Sequence, residues 1–332
     1  MTTLRTCTAV AVPALILLAS NLSSRASGVE SGNNSIPANA SSQMPSCQQC
    51  HSGSGPSVGR TNGPTTHLTA SLLVLQPGQT TSVTTAVTGG VSGTDGGFIC
   101  EASAGTFTAG STSRIITNPA SITHANDRNR TWTYTYTAPN STGLVTLTSA
   151  GLSANGSGSS GDEFSFSGYD PNATTATPMR MFVLPTGVVN HGMSCPDGFG
   201  NYSVLGANSS PTLGNAGFAV ELHGATPGTF AFLIGGFNPP GFTSIDLGAM
   251  FGLVGCHGYV ASSFLSLSGL TSAGSAQRGE GSLSFAIPVA NSPILSGVLL
   301  DMQAAYIDPT ADSMLGRTMP FSFSNGLGIT FQ

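Results

Sequence analysis

The chain has 332 residues, enough for two domains of ordinary size, and 39% of them are hydrophobic, so each half can bury a core. Charged residues make up only 7% and the formal net charge is −5, against roughly 25% charged residues in a typical soluble domain. All nine basic residues are arginines and form no basic stripe, which leaves nucleic-acid binding without an electrostatic footing.

In chain order, the first expected element is a signal peptide over residues 1–27. Arg5 supplies a short positive region, and residues 7–19 (CTAVAVPALILLA) form an apolar run too short to span a bilayer. Small residues then lead to a cleavage point between Ser24 and Ser27. No cysteine follows at a lipoprotein-type position, and no later run is long and apolar enough to cross a membrane. The mature chain is therefore expected to be extracytoplasmic: periplasmic, surface-bound or released. Cleavage removes Cys7, leaving five of the six cysteines: Cys47, Cys50, Cys100, Cys195 and Cys256. An odd number in an oxidising compartment implies a free thiol or a use other than disulfides.

Residues 28–46 are polar and low in complexity and are expected to be a linker. Residues 47–168 carry short alternating runs separated by turn residues. In TWTYTYT (131–137), Trp132, Tyr134 and Tyr136 share one face and the threonines the other, the period of a half-buried strand. Residues 169–178 read as a hinge. Residues 179–332 return to strand-like runs, among them FAVELHGA, GTFAFLIGGF and FSFSNGLGITFQ, with a short helix near Gly248–Leu253. The expected fold class is all-β, two β-sandwich-like domains after the signal peptide and linker.

One motif carries chemistry. Cys47-Gln-Gln-Cys50-His51 is C-x-x-C-H, the attachment signature of c-type haem. Two thiols at this spacing can add to both vinyl groups of one porphyrin, and the next residue, His51, is placed to ligate the iron. Two other readings stand beside it. Cys47 and Cys50 could close a small disulfide, or join His51 and a further ligand around zinc. For haem, candidates for the sixth iron ligand are Met44, His67 and His124. Asn155, Asp162 and Glu163 could hold calcium, although a plain hairpin with exposed acids is the favoured reading. Asp308 and Asp312 sit in a Pro-containing turn without an evident partner. His191, His223 and His257 read as loop or strand-end residues. Cys100 follows the apolar Gly97-Phe98-Ile99 run and is expected to be the unpaired thiol, hidden in the first core. No G-x-S-x-G, H-E-x-x-H or phosphate loop occurs, so no catalytic constellation is expected.

Two stretches resemble known families. SCQQCHSGSGP, GGFICEASAGTF, SITHANDRNRTWTYTYTAP and GLVTLTSAGLSANGSGSSGD, in that order over about 45–168, resemble the bacterial choice-of-anchor V domain, a relative of the reelin (Reeler) domain; Leu152 and Ser153 depart from its commonest form. The resemblance implies a Reeler-like β-sandwich and no settled activity. Its Thr-His element accompanies CxxCH and favours His124 among the candidate ligands. HGMSCPDGFG, SPTLGNAGFAVELHGATPG, GCHGYV and FSFSNGLGITF, over about 191–332, are similar to a C-terminal β domain of secreted planctomycete and myxobacterial proteins. That similarity implies export and a Cys195–Cys256 bridge, worth roughly 3–4 kcal/mol for a loop of this length. Together these readings lead to an exported β-sandwich protein with one covalently attached haem c and an electron-transfer role toward an unknown partner. The rival is a haem-free surface or adhesion protein.

Overall fold

The computed structural model describes residues 63–116, 120–158, 160–168, 177–197, 200–273, 279–310, 316–317 and 319–332, together with Gly28 and the backbone of residues 52–54. The described chain is all-β. Its one α-helix, α1 (Leu247–Phe251), starts where the Asp246 side chain accepts from the amides of Gly248 and Ala249, and stops at Gly252 in the left-handed conformation.

The first sandwich opposes two sheets. One has the order β2 (Thr65–Ala70), β4 (Thr80–Thr88), β9 (Thr131–Thr137) and β6 (Thr106–Thr108). The other runs β1 (Ser52–Ser54), β11 (Ser160–Phe166), β10 (Gly143–Ser153), β5 (Gly96–Ala102), β8 (Ser121–His124) and β7 (Ser113–Ile115). The alternation of the sequence fixes the faces. In β4 and β9 the register sets Val83 opposite Tyr134 and Thr85 opposite Trp132, and every second residue points inward. Trp132, Tyr134 and Tyr136 meet Phe98, Cys100, Ile122, Val145 and Leu147 from the facing sheet. The Phe98 and Tyr134 rings stack at 5.5 Å, and Phe98 lies 4.7 Å from Trp132.

The second half is also layered. A five-stranded sheet has the order β13 (Val188–His191), β22 (Phe321–Thr330), β21 (Leu299–Ile307), β16 (Phe230–Phe237) and β19 (Ser262–Leu270). It packs on β14 (Val204–Ala207), β15 (Ala219–Ala225) and β20 (Gly281–Ala286). Leu205, Val220 and Leu222 from the smaller sheet meet Leu233, Met302 and Leu327 from the larger.

The strand β12 (Met179–Val183), which the sequence assigns to the second domain, pairs instead with the first sheet. It lies antiparallel to β10 and parallel to β3 (Val74–Leu75). Met181, Phe182 and Val183 are fully buried, so this strand needs apolar cover on both faces. It finds that cover where the two halves meet, and one continuous core cluster runs through both. The first part of the expected hinge, 169–176, lies outside the described residues, as do the signal peptide and, apart from Gly28, the linker.

Candidate functional site

The CxxCH residues Cys47, Cys50 and His51, and Met44 before them, lie outside the described residues. The strand that follows is described. Ser52, the residue after His51, pairs with Ser160, and Ser54 with Glu163, so β1 runs parallel to β11 at the edge of the larger first sheet. The motif is therefore joined directly to a sheet edge.

His124 ends β8 on the inner face of the sandwich, and its side chain is buried. Its ring packs 6.4 Å from Phe98 and 6.2 Å from Trp132. It also rests on bare backbone: a Cβ on Gly97 would come within 2.7 Å of His124 Cε1, so only glycine fits there. The Phe98 amide donates to His124 Nδ1 at 3.0 Å, and the Phe98 carbonyl stands 3.2 Å from the same nitrogen. With the amide donating, Nδ1 is bare and Nε2 carries the hydrogen. Ligation of iron through Nε2 needs the opposite tautomer, with Nδ1–H given to the carbonyl. Sheet order adds a distance. The strands β11, β10 and β5 separate β1 from β8, about four strand spacings or ~19 Å. The third candidate, His67 on β2, is exposed, with Nε2 at 3.1 Å from Thr65 Oγ1.

A feature that sequence reasoning missed lies on the other face of the same sheet. Ile99, Ala150, Leu152, Phe164 and Phe166, with Ile116, form a second buried apolar cluster. Its strands are β5, β10 and β11, and Phe164 and Phe166 belong to the immediate neighbour of β1. The alternation was the available signal. In Phe98-Ile99-Cys100 both faces carry apolar groups, the pattern of a strand covered on two sides.

Arg130 was also missed. Its guanidinium donates to four carbonyls, those of Gly89, Val91, Asp95 and Ala154, at 2.9–3.2 Å. One side chain thus clamps the loops after β4 and β10, and the loop between His124 and Trp132 serves as a staple for one end of the sandwich.

The Asn155–Asp162 hairpin closes on itself. Asp162 Oδ1 accepts from the Asn155 amide at 2.9 Å, Asn155 Oδ1 accepts from Ser157, and Asn155 Nδ2 donates to the Ser160 carbonyl. Asp162 is fully buried rather than exposed, because its carboxylate holds the turn. Among the described residues no group of three or more His, Cys, Asp or Glu side chains is arranged to hold a metal ion. Asp308 likewise closes its own turn, accepting from the amide and hydroxyl of Thr310, and Asp312 lies outside the described residues.

Cys195 and Cys256 are bonded across 61 residues, with Cα atoms 4.9 Å apart. The bridge is buried with Leu247 and Leu253 and ties the segment after β13 to the end of the α1 loop. Cys100 is a free, fully buried thiol. Burial pushes it up from 9.0 to about 12, against a hydrogen bond with Tyr134 that pulls the other way. Burial likewise raises Tyr136 from 10.0 to about 12. Both groups keep their protons longer in the folded chain than in the unfolded one. Their contribution to stability is therefore complete below pH 9 and is lost as pH rises toward 12. Native protein at pH 8 is expected to leave Cys100 unlabelled by iodoacetamide, with full labelling after denaturation; rapid native labelling contradicts the buried placement.

In the second half, His191 Nε2 stands 3.1 Å from Asp301 Oδ1 but off the hydrogen-bond direction. His223 pairs with Glu221 at 3.3 Å, and burial lowers its pKa. His257 sits 3.4 Å from Ser244 Oγ. Among the described residues no helix is long and apolar enough to cross a membrane.

No family model matches the chain, and no curated protein matches it. Among solved structures it is similar to the Reelin-N domain of F-spondin, at 18% identity over 40% of this chain and 91% of that one, with a TM-score of 0.28. The reeler domain of human F-spondin matches at 18% identity over 40% and 94%, with the same TM-score of 0.28. The adhesin InvE of Yersinia pseudotuberculosis matches at 16% identity over 83% of this chain and 62% of that one, with a TM-score of 0.20. At these scores the likenesses carry no functional argument.

Proposed function

We propose that this chain is an extracytoplasmic electron-transfer protein that carries one haem c on a Reeler-like β-sandwich of the choice-of-anchor V type. The observation that carries the reading is the junction of CxxCH with β1. The motif leads in one step to Ser52, which is paired to β11, and β11 presents Phe164 and Phe166 on the sheet face turned away from the sandwich core. In this reading Cys47 and Cys50 hold the porphyrin and His51 ligates the iron, beside the sheet edge where β1 pairs with β11. The bound group supplies one-electron redox chemistry, and the sandwich supplies a rigid mount and an apolar surround. His124 stays in the core as a clamp on the Phe98 backbone rather than on the iron. The Cys195–Cys256 bond fits export to an oxidising compartment.

The test is a pyridine haemochrome spectrum of protein made in a host with haem-maturation machinery. A c-type spectrum that survives acid–acetone extraction and disappears in the Cys47→Ser/Cys50→Ser double variant is expected. The His124→Gln variant is expected to keep the wild-type absorption spectrum while losing stability. A protein that matures without haem favours the rival, a surface or adhesion module whose Cys47 and Cys50 form a local disulfide.

A further inference from the structure

We infer that the second half binds one buried water molecule between Tyr306 Oη, Ser203 Oγ and Arg317 Nε, at the end of the sandwich tied by the Cys195–Cys256 bond. Tyr306 lies on β21 and Ser203 directly precedes β14, so these two side chains come from opposite sheets. Arg317 lies in the segment leading to β22. Tyr306 and Ser203 are fully buried, and Arg317 is 3% exposed. The three named atoms are shut off from solvent, and none has a hydrogen-bond partner among the described residues. Folded interiors leave few such atoms unpaired, and here three gather in one place.

Tyr306 is their common neighbour. It pairs across the strands with Ser322, whose hydroxyl donates to the Pro196 carbonyl at 3.4 Å and stands 3.5 Å from Arg317 Nη1. Arg317 Nη2 donates to the same carbonyl at 2.9 Å and to that of Val254 at 3.4 Å. The terminal nitrogens are thus engaged and Nε is left over. Burial raises the Tyr306 phenol, and the Ser322 and Ser203 hydroxyls oppose that rise, which places both beside its oxygen. The phenol in turn acts on the Arg317 guanidinium. The groups are neighbours without a well-formed direct bond between them, the arrangement that a single interposed molecule bridges.

Charge and donor count identify that molecule. Asp308 and Asp197, both buried, stand near enough to support the Arg317 charge. Each also holds its own turn: Asp197 accepts from the Asn201 amide and Nδ2, and Asp308 from Thr310. With two carboxylates beside one guanidinium, an added anion meets net repulsion. A metal ion is disfavoured by the Arg317 N–H, which only donates. Water completes the set: it accepts from Nε–H and from one hydroxyl, and donates to the other oxygen. Three bonds is the usual number for a buried water. Bound there, it links both sheets to the segment before β22. Pro196, one residue past the disulfide, closes the site from the side of Arg317.

A high-resolution crystal structure of the full mature chain, grown with and without bromide, tests this. The expected result is a water peak at about 2.7–3.2 Å from Tyr306 Oη, Ser203 Oγ and Arg317 Nε, the same in both crystals. Anomalous bromide density at that point overturns the inference, and so does direct bonding among the three groups with no peak between them. Unfolding of Tyr306→Phe, Ser203→Ala and the double variant gives a second reading. Each single variant is expected to raise the unfolding constant about 5- to 30-fold. The double variant is expected to lose little more than either single, because the shared molecule leaves with its first partner. Effects that multiply in full contradict a shared molecule.

Discussion

Trp132→Ala is expected to destabilise the first sandwich by about 3–5 kcal/mol, a large part of the roughly 5–15 kcal/mol that separates a folded domain from its unfolded chain. Trp132 is the largest fully buried side chain, and its ring joins Phe98 and His124 across the two sheets. Truncation leaves a cavity between sheets that are pinned by β4–β9 pairing on one side and β5–β8 pairing on the other, so collapse cannot fill it. Trp132→Phe is expected to cost much less. The indole Nε1 is buried with no hydrogen-bond partner among the described residues, and phenylalanine removes that unpaired donor along with part of the volume. Urea unfolding followed by circular dichroism measures both, because the chain's single tryptophan is lost in each variant. Equal destabilisation by the two substitutions contradicts this account of the core.

Replacing Cys195 and Cys256 together by alanine is expected to cost about 4 kcal/mol, the loop-closure value for a 61-residue separation. The loss belongs to the second half. The bond ties the segment after β13 to the α1 loop. Its neighbours, Leu247 and Leu253, form a small cluster apart from the main core, too small to hold the α1 loop without the bond. The double variant is expected to melt earlier than wild type, and wild type in reducing agent is expected to follow it. An unchanged transition contradicts a stabilising role for the bond.

The strands were legible in the sequence because side-chain alternation is a local property. The face shared by Trp132, Tyr134 and Tyr136 followed directly from TWTYTYT, and burial of the Cys100 thiol followed from the apolar run before it. The helix near Gly248–Leu253 emerged one residue early, at Leu247–Phe251, where Asp246 caps it. Pairing partners were not legible, because alternation specifies which face of a strand is buried and not which strand lies beside it. Met179–Val183 shows this: its sequence fits either domain, and only the buried volume between them draws it to β10. The same limit hid the site. His124 was readable as a polar residue in a Thr-His element. Its engagement with the Phe98 backbone depends on a glycine at position 97, twenty-seven residues away in sequence and visible only once β5 and β8 are paired. The apolar cluster beside β1 was hidden likewise, since Ile99, Leu152 and Phe164 come together through three strands.

The central claim, covalent haem on CxxCH, is tested most directly by the mass of the tryptic peptide that ends at Arg60 and contains Cys47, Cys50 and His51. Protein from a host with haem-maturation machinery is denatured, digested without reduction and analysed intact. The predicted result is one peptide heavier by a single haem, with neither thiol available to an alkylating reagent. A peptide at its unmodified mass, less two hydrogens for a Cys47–Cys50 disulfide, contradicts the claim.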